Sequence, residues 1–165
     1  MSQGSAAIDA FLDREAAVAA VTRYASALDA RDWGAYRALF TDEIAIDYAS
    51  IGSLVATVPA DEWTNRCRTL EGFDATAHQL HNIVAAIDGD EATVTSIVDA
   101  VHVVGVEDRA LLGDLIGRYT HRLVRQGEWK IAGVTLSVVA YPAGKEAFEA
   151  AFAAARAIFA EGNSA

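Results

Sequence analysis

Four polar side chains interrupt stretches that otherwise look like protein interior: Asp29, Tyr48, His78 and His102. Asp29 ends an apolar-periodic helix containing Val21, Ala25 and Leu28, and Tyr48 ends the apolar strand IAIDY (44–48). His78 and His102 lie in strands rich in Ala, Val and Ile. Leaving a buried polar group unpaired costs roughly 1–3 kcal/mol. Four such groups in one small chain are expected to meet in a pocket, where a carboxylate, a phenol and two imidazoles can move protons.

Each residue also has a plainer reading. Asp29 lies in LDARDW, where it could be a solvated turn residue. Asp32 already serves as the cap of the next helix, and the helix dipole disfavours an acid at a helix C-terminus. In a strand, His78 shares a face with Leu80, Asn82 and Val84, while His81 shares the other with Gln79 and Ile83. A half-buried, satisfied histidine is the commoner fate of either. His102 shares an apolar stripe with Val98, Ala100 and Val104, which suits a pocket wall. His121, in YTHRLVR, reads as exposed or structural. Cys67 reads as a filler on a helix. Trp33, Tyr36 and Phe40 read as core. Phe148, Phe152 and Phe159 read as packing, with the alternative that their helix lids the cavity.

Several chemistries lack their signatures. HxH, HExxH and CxxC spacings are missing, and His78 and His81 face opposite ways, so a metal site is the weaker reading. No GxSxG elbow, GxGxxG loop or P-loop occurs. What remains is acid–base chemistry without a cofactor.

These side chains need elements to hold them. Residues 8–28 read as an amphipathic helix. Asp32 caps a second helix with Trp33, Tyr36, Leu39 and Phe40. Pro59, followed by Asp61 and Glu62, opens a third through Cys67. The second half reads as strands: 76–87, a DGDE turn (88–91), 92–104, 115–125, and 129–139 after a QGE turn. A final helix at about 143–161 follows Pro142, its Phe148, Phe152, Ala155 and Phe159 sharing one face. The tail EGNSA (161–165) reads as frayed. This order indicates one α+β domain over 1–165, with its core at about 8–141. Its curved, mostly antiparallel sheet is wrapped into a cone, with helices enclosing a pocket.

Composition narrows the partners. The chain has 13 basic and 23 acidic side chains and a net charge of −10, which argues against nucleic acid and anionic membranes. A small, neutral, hydrophobic or aromatic ligand fits better. The single cysteine allows no intrachain disulfide, and MSQGSAAID lacks the pattern of a signal peptide. Both favour the cytoplasm.

Five segments carry a resemblance: LDARDW (28–33), IDYAS (46–50), VPADEW (58–63), TAHQLHN (76–82) and GEWKIAG (127–133). In order and spacing the chain resembles the nuclear transport factor 2-like superfamily, and within it scytalone dehydratase and its bacterial relatives in the polyketide-cyclase-like group. The resemblance implies that Asp29 orients a catalytic His78 and that Tyr48 holds a water on the substrate carbonyl. After a short alignment gap, His102 matches a second catalytic histidine. The family's tyrosine before the aspartate is Leu28 here, with Tyr24 one turn earlier as its substitute. Arg118 stands where the family has a substrate-contacting asparagine and would suit a phenolate, carboxylate or enolate. The implied activity is cofactor-independent dehydration of a cyclic or polyketide-derived β-hydroxy carbonyl compound. An isomerase, an aldol cyclase or a non-catalytic ligand-binding domain are the alternatives. A homodimer or homotrimer is expected, docked through an apolar outer sheet face bearing Ile97, Val101 and Val103 on one strand and Val134, Leu136 and Val138 on another.

Overall fold

The computed structural model describes residues 3–162. Small and apolar side chains three and four apart (Ala17, Ala20, Val21, Tyr24, Ala27, Leu28) give helix α1 (Gln3–Asp29) one buried stripe over its C-terminal half. The helix stops in a Schellman arrangement. Arg31 adopts the left-handed conformation at φ 57°, and Asp32 N–H reaches back to the Ala27 carbonyl at 3.0 Å. Asp32 then caps α2 (Trp33–Ala38) by accepting from Ala35 N–H at 2.9 Å, as expected. That helix is shorter than the sequence reading: Leu39 ends it, and Phe40 already opens a strand.

The remaining elements are β1 (Phe40–Asp47), β2 (Val55–Pro59), α3 (Ala60–Cys67), β3 (Ala75–Asp88), β4 (Glu91–Val106), β5 (Arg109–Gln126), β6 (Glu128–Ala140) and α4 (Lys145–Gly162). Short 3-10 turns cover Ala49–Ile51 and Arg68–Gly72. Pro59 ends β2 and caps α3. Strand β2 went unread in the sequence, and β5 begins six residues earlier than expected. Of the EGNSA tail, Glu161 and Gly162 belong to α4, and 163–165 lie outside the described residues.

The six strands form one sheet in the order β2-β1-β6-β5-β4-β3, antiparallel throughout except for the parallel β1–β6 pair. The sheet is curved and open, giving the expected α+β architecture. Helix α1 packs across its inner face against β3, β4 and β6. Asp13 pins α1 there. It accepts from both terminal nitrogens of Arg125 at 2.9 and 2.8 Å and from Trp129 Nε1 at 3.0 Å. Arg125 holds the Asp13 carboxyl below its usual pKa, against a small opposing effect of burial. Helix α4 closes the other flank. Gly72 lets it seat, since a Cβ there would lie 1.9 Å from the Ala155 carbonyl oxygen.

Two face assignments need correcting. Asn82, at φ 51°, sits in a bulge between His81 and Val84, where β3 has one residue more than β4. The extra residue switches the parity, so Ala85 is buried and Val84 is exposed instead of sharing the His78 face. On β6, Val134 and Leu136 point into the core, and the outer face there carries Thr135 and Ser137. Only the half-buried Ile97, Val101 and Val103 of β4 match the expected apolar outer stripe. Among the described residues no helix is long and apolar enough to cross a membrane.

Candidate active site

Asp29 is the last residue of α1 and faces β3, where Thr76 and His78 project to the same side. Its Oδ1 accepts from Thr76 Oγ1 at 2.9 Å and lies 2.7 Å from His78 Nδ1. Its Oδ2 accepts the His78 backbone N–H at 2.7 Å. A carboxylate accepts only, so His78 Nδ1 is the donor in this contact, and the neutral ring has its lone pair on Nε2. Burial alone would raise the Asp29 pKa. The hydrogen bond and charge of His78, its backbone N–H and the Thr76 hydroxyl outweigh that and hold it below the ordinary value.

The Schellman turn that ends α1 also braces this pair. Arg31, placed by its left-handed backbone, donates from one terminal nitrogen to the Asp29 carbonyl and to Thr76 Oγ1, both at 2.8 Å. Its other terminal nitrogen donates to the Leu70 and Phe73 carbonyls at 3.0 and 3.3 Å. One guanidinium thus ties the helix end, the dyad strand and the Arg68–Gly72 turn together.

His78 lines a cavity of about 540 Å3 between the inner sheet face, α1, α3 and α4. The His102 ring faces it edge-on, with centroids 5.0 Å apart. His102 Nδ1 lies 2.8 Å from the Gly113 carbonyl oxygen, so Nδ1 carries the proton and Nε2 is an acceptor. Burial first, then the neighbouring His78 charge, push the His102 pKa down to about 3, so this imidazole is neutral at physiological pH. Phe73 and Phe152 pack against its ring at 5.2 and 4.7 Å. Phe148 and Phe152 of α4 line the cavity, so the lid alternative describes them better than packing alone.

Tyr48 lies just past β1, and its hydroxyl is 3.0 Å from that of Tyr24. One phenol donates to the other, and the Tyr119 ring adjoins both. Burial pushes both pKa values well up, so both remain phenols. The sequence reading missed Tyr119, which lines the same cavity with its ring 5.9 Å from Tyr24 and 6.5 Å from Tyr48. Its pKa is pushed up to about 12 by burial. Cys67 also lines the cavity, near Tyr36, and burial pushes its thiol up to about 12, which suits a filler and not a nucleophile. No three His, Cys, Asp or Glu side chains among the described residues converge to hold a metal ion.

Arg118 is not in the site. It is exposed on the outer face of the sheet, between Ile97 of β4 and Ser137 of β6, because the inward residues of β5 are Gly117, Tyr119 and His121. His121 is fully buried against the Tyr24 and Tyr119 rings, contrary to an exposed placement. Neither ring nitrogen has a hydrogen-bond partner, and burial pushes its pKa down to about 3.

The buried histidines set a pH dependence. Between pH about 6.5 and about 3, the unfolded chain protonates His102 and His121 while the folded chain does not. Stability therefore falls as pH drops through that window, by on the order of a few kcal/mol per histidine. A His121→Leu variant removes one contribution and two unpaired buried nitrogens. It should melt higher than the parent at pH 5, by a wider margin than at pH 7.5. Equal margins at the two pH values would rule the account out.

Known structures share the fold. A Kribbella flavida protein is 26% identical and superposes with a TM-score of 0.76, over 85% of this chain and 99% of its own. A Novosphingobium aromaticivorans protein, provisionally named a scytalone dehydratase, is 26% identical with a TM-score of 0.67, over 76% of this chain and 83% of its own. A Xanthomonas campestris protein, provisionally named a polyketide cyclase, shares the fold at 20% identity and a TM-score of 0.52, over 76% of this chain and 91% of its own. No curated protein matches the sequence significantly. The profile of the SnoaL-like domain matches residues 9–135, and the chain belongs to that family, within the nuclear transport factor 2-like superfamily.

Proposed function

We propose that the protein is a cofactor-independent dehydratase for a cyclic or polyketide-derived β-hydroxy carbonyl compound. The observation that carries the reading is the Asp29–His78 contact of 2.7 Å, with His78 lining the cavity. His78 Nε2 takes the proton α to the carbonyl. Asp29 fixes the reactive tautomer and stabilises the imidazolium that forms. A phenol of the Tyr24–Tyr48 pair donates a hydrogen bond to the enolate oxygen and keeps its proton, so the carbonyl re-forms as the hydroxyl leaves. The imidazolium of His78 then returns its proton to the leaving hydroxyl. His102 has a different role. A neutral ring with its proton on Nδ1 has none to give from Nε2, so it accepts a hydrogen bond from the substrate hydroxyl and aims it.

Isomerisation or aldol cyclisation could proceed through the same enolate, and a purely binding domain would need no dyad. Product mass separates dehydration from isomerisation and from cyclisation without water loss. Incubation with cyclic β-hydroxy ketones is expected to yield products lighter by one water. Products of unchanged mass would replace the dehydratase with an isomerase, and an intramolecular cyclisation without water loss also conserves mass. Ligand binding without turnover would leave a binding domain. The same proposal includes self-association through the Ile97, Val101 and Val103 stripe. Light scattering should give two or three times the 17.5 kDa of the chain, and the single-chain mass would dismiss it.

A further inference from the structure

The cavity is chemically lopsided. Its polar lining is His78, His102 and the phenols of Tyr24, Tyr48 and Tyr119. Its walls are apolar, built from side chains such as Leu115, Leu136, Phe148 and Phe152. Two further lining residues are arginines: Arg66, in the last turn of α3, and Arg156, on α4. Both are exposed residues, and neither makes a side-chain ion pair or hydrogen bond among the described residues. Arg37, Arg68 and Arg125, by contrast, all pair with carboxylates. The close seating of α4 on Gly72 brings the Arg156 helix against the turn that follows Arg66. One acid, Glu149, lines the same cavity, and it lies 3.5 Å from Lys145.

Among the described residues several other arginines are also without a carboxylate partner, but Arg66 and Arg156 are the ones that line the cavity, in a chain of net charge −10. The overall charge repels anions at long range, so an anionic ligand needs local cations to dock. We propose that the substrate carries a carboxylate on the end remote from the reacting carbonyl, and that Arg66 and Arg156 bind it. The flat apolar body of the ligand then lies along the phenylalanines, with its reactive end at His78. The guanidinium fork matches a planar carboxylate. Glu149 disfavours a more highly charged group such as a phosphate monoester. The anion-binding role assigned in the sequence to Arg118 passes to residues on two helices. The inference rests on the cavity being the substrate site, which the proposed function also requires.

Calorimetric titration with 2-naphthoate, naphthalene-2-carboxamide and 2-naphthyl phosphate tests it without turnover. The acid should bind about tenfold more tightly than its neutral amide, and more tightly than the phosphate. The acid-to-amide ratio should shrink towards one at high salt and in the Arg66→Gln/Arg156→Gln double variant. Both arginines are exposed, so the variant should keep the parent's melting temperature. Equal binding of acid and amide by the parent protein overturns the carboxylate inference alone, leaving the dehydratase reading in place. A ratio that survives in the double variant overturns the assignment to these arginines, and tighter binding of the phosphate overturns the choice of carboxylate. Binding of none of the three overturns the inference together with the substrate cavity it rests on.

Discussion

Replacing His78 with alanine should lower kcat by about 10²–10⁴-fold, the usual contribution of one positioned acid–base group. Asp29→Asn should approach that loss, for a reason visible in the hydrogen bonds. The carboxylate accepts three of them: Thr76 Oγ1 and His78 Nδ1 on one oxygen, His78 N–H on the other. An amide has one oxygen. If that oxygen takes the Oδ1 position, the amide nitrogen meets the His78 backbone N–H, donor against donor. If it flips, the nitrogen donates to His78 Nδ1 and moves the ring proton to Nε2, which removes the base. The loss should fall on kcat more than on KM, because the contact acts through His78 and not on the substrate. Nitrogen-15 NMR gives a readout that needs no substrate: His78 should be an Nδ1–H imidazole in the parent and lose that preference in the asparagine variant. An unchanged tautomer together with unchanged turnover would remove the dyad from the mechanism.

Gly72→Ala should be the most damaging single methyl in the chain. The new Cβ would sit 1.9 Å from the Ala155 carbonyl oxygen and 2.7 Å from its carbon, both backbone atoms of α4. Backbone cannot swing aside as a flexible side chain can, so the helix must lift. Overpacking in a tight core typically costs about 1–3 kcal/mol, and a backbone clash belongs at or above the upper end. For a chain of this size that corresponds to a melting temperature lower by roughly 6–12 °C. Gly34→Ala is the matched control. It lies inside α2, its new Cβ would meet nothing closer than 3.6 Å, and a helical Gly→Ala change should stabilise by about 0.5–1 kcal/mol. Opposite signs for the two substitutions are the expected result of thermal melts. Parent-like melting of the Gly72 variant would mean that α4 does not seat as described. The lifted helix also carries Phe148 and Phe152, so the variant should bind 2-naphthoate more weakly than the parent.

Local patterns placed some residues of the site, and the resemblance supplied others. Alternation along β4 put His102 on the buried stripe with Val98, Ala100 and Val104, as found. Asp29 and His78 were brought together by the resemblance carried by LDARDW and TAHQLHN, since each alone reads as structural. Arg118 was misplaced by one residue, although its own strand held the signal. In YTHRLV the polar Thr120 and Arg122 alternate with Tyr119 and Leu123, which puts Arg118 outside and Tyr119 inside. The Val84 error had a different cause. A bulge at Asn82 switches faces, and an asparagine in a strand does not announce a left-handed backbone. Strand β2 escaped notice because five residues ending in proline are too short to show a period. Arg66 and Arg156 could not be paired from sequence at all. They lie far apart in sequence, on α3 and α4, and reach one cavity only once Gly72 has admitted α4 against the Arg68–Gly72 turn.

The parallel pairing of β1 with β6 has a consequence for how the chain is made. The hairpins β3–β4, β4–β5 and β5–β6 can each zip as soon as their second strand leaves the ribosome. Strand β1 cannot join them so early, because Phe40 must meet Ile131 and Ile46 must meet Val134. Until then the β1–β2 hairpin waits with one edge unpaired and Ile44 and Ile46 without their core, an aggregation hazard that lasts through most of translation. The link that ends this wait is a non-local contact, a kind that forms slowly. The wall of the cavity that bears Tyr48 is therefore among the last parts of the protein to be assembled.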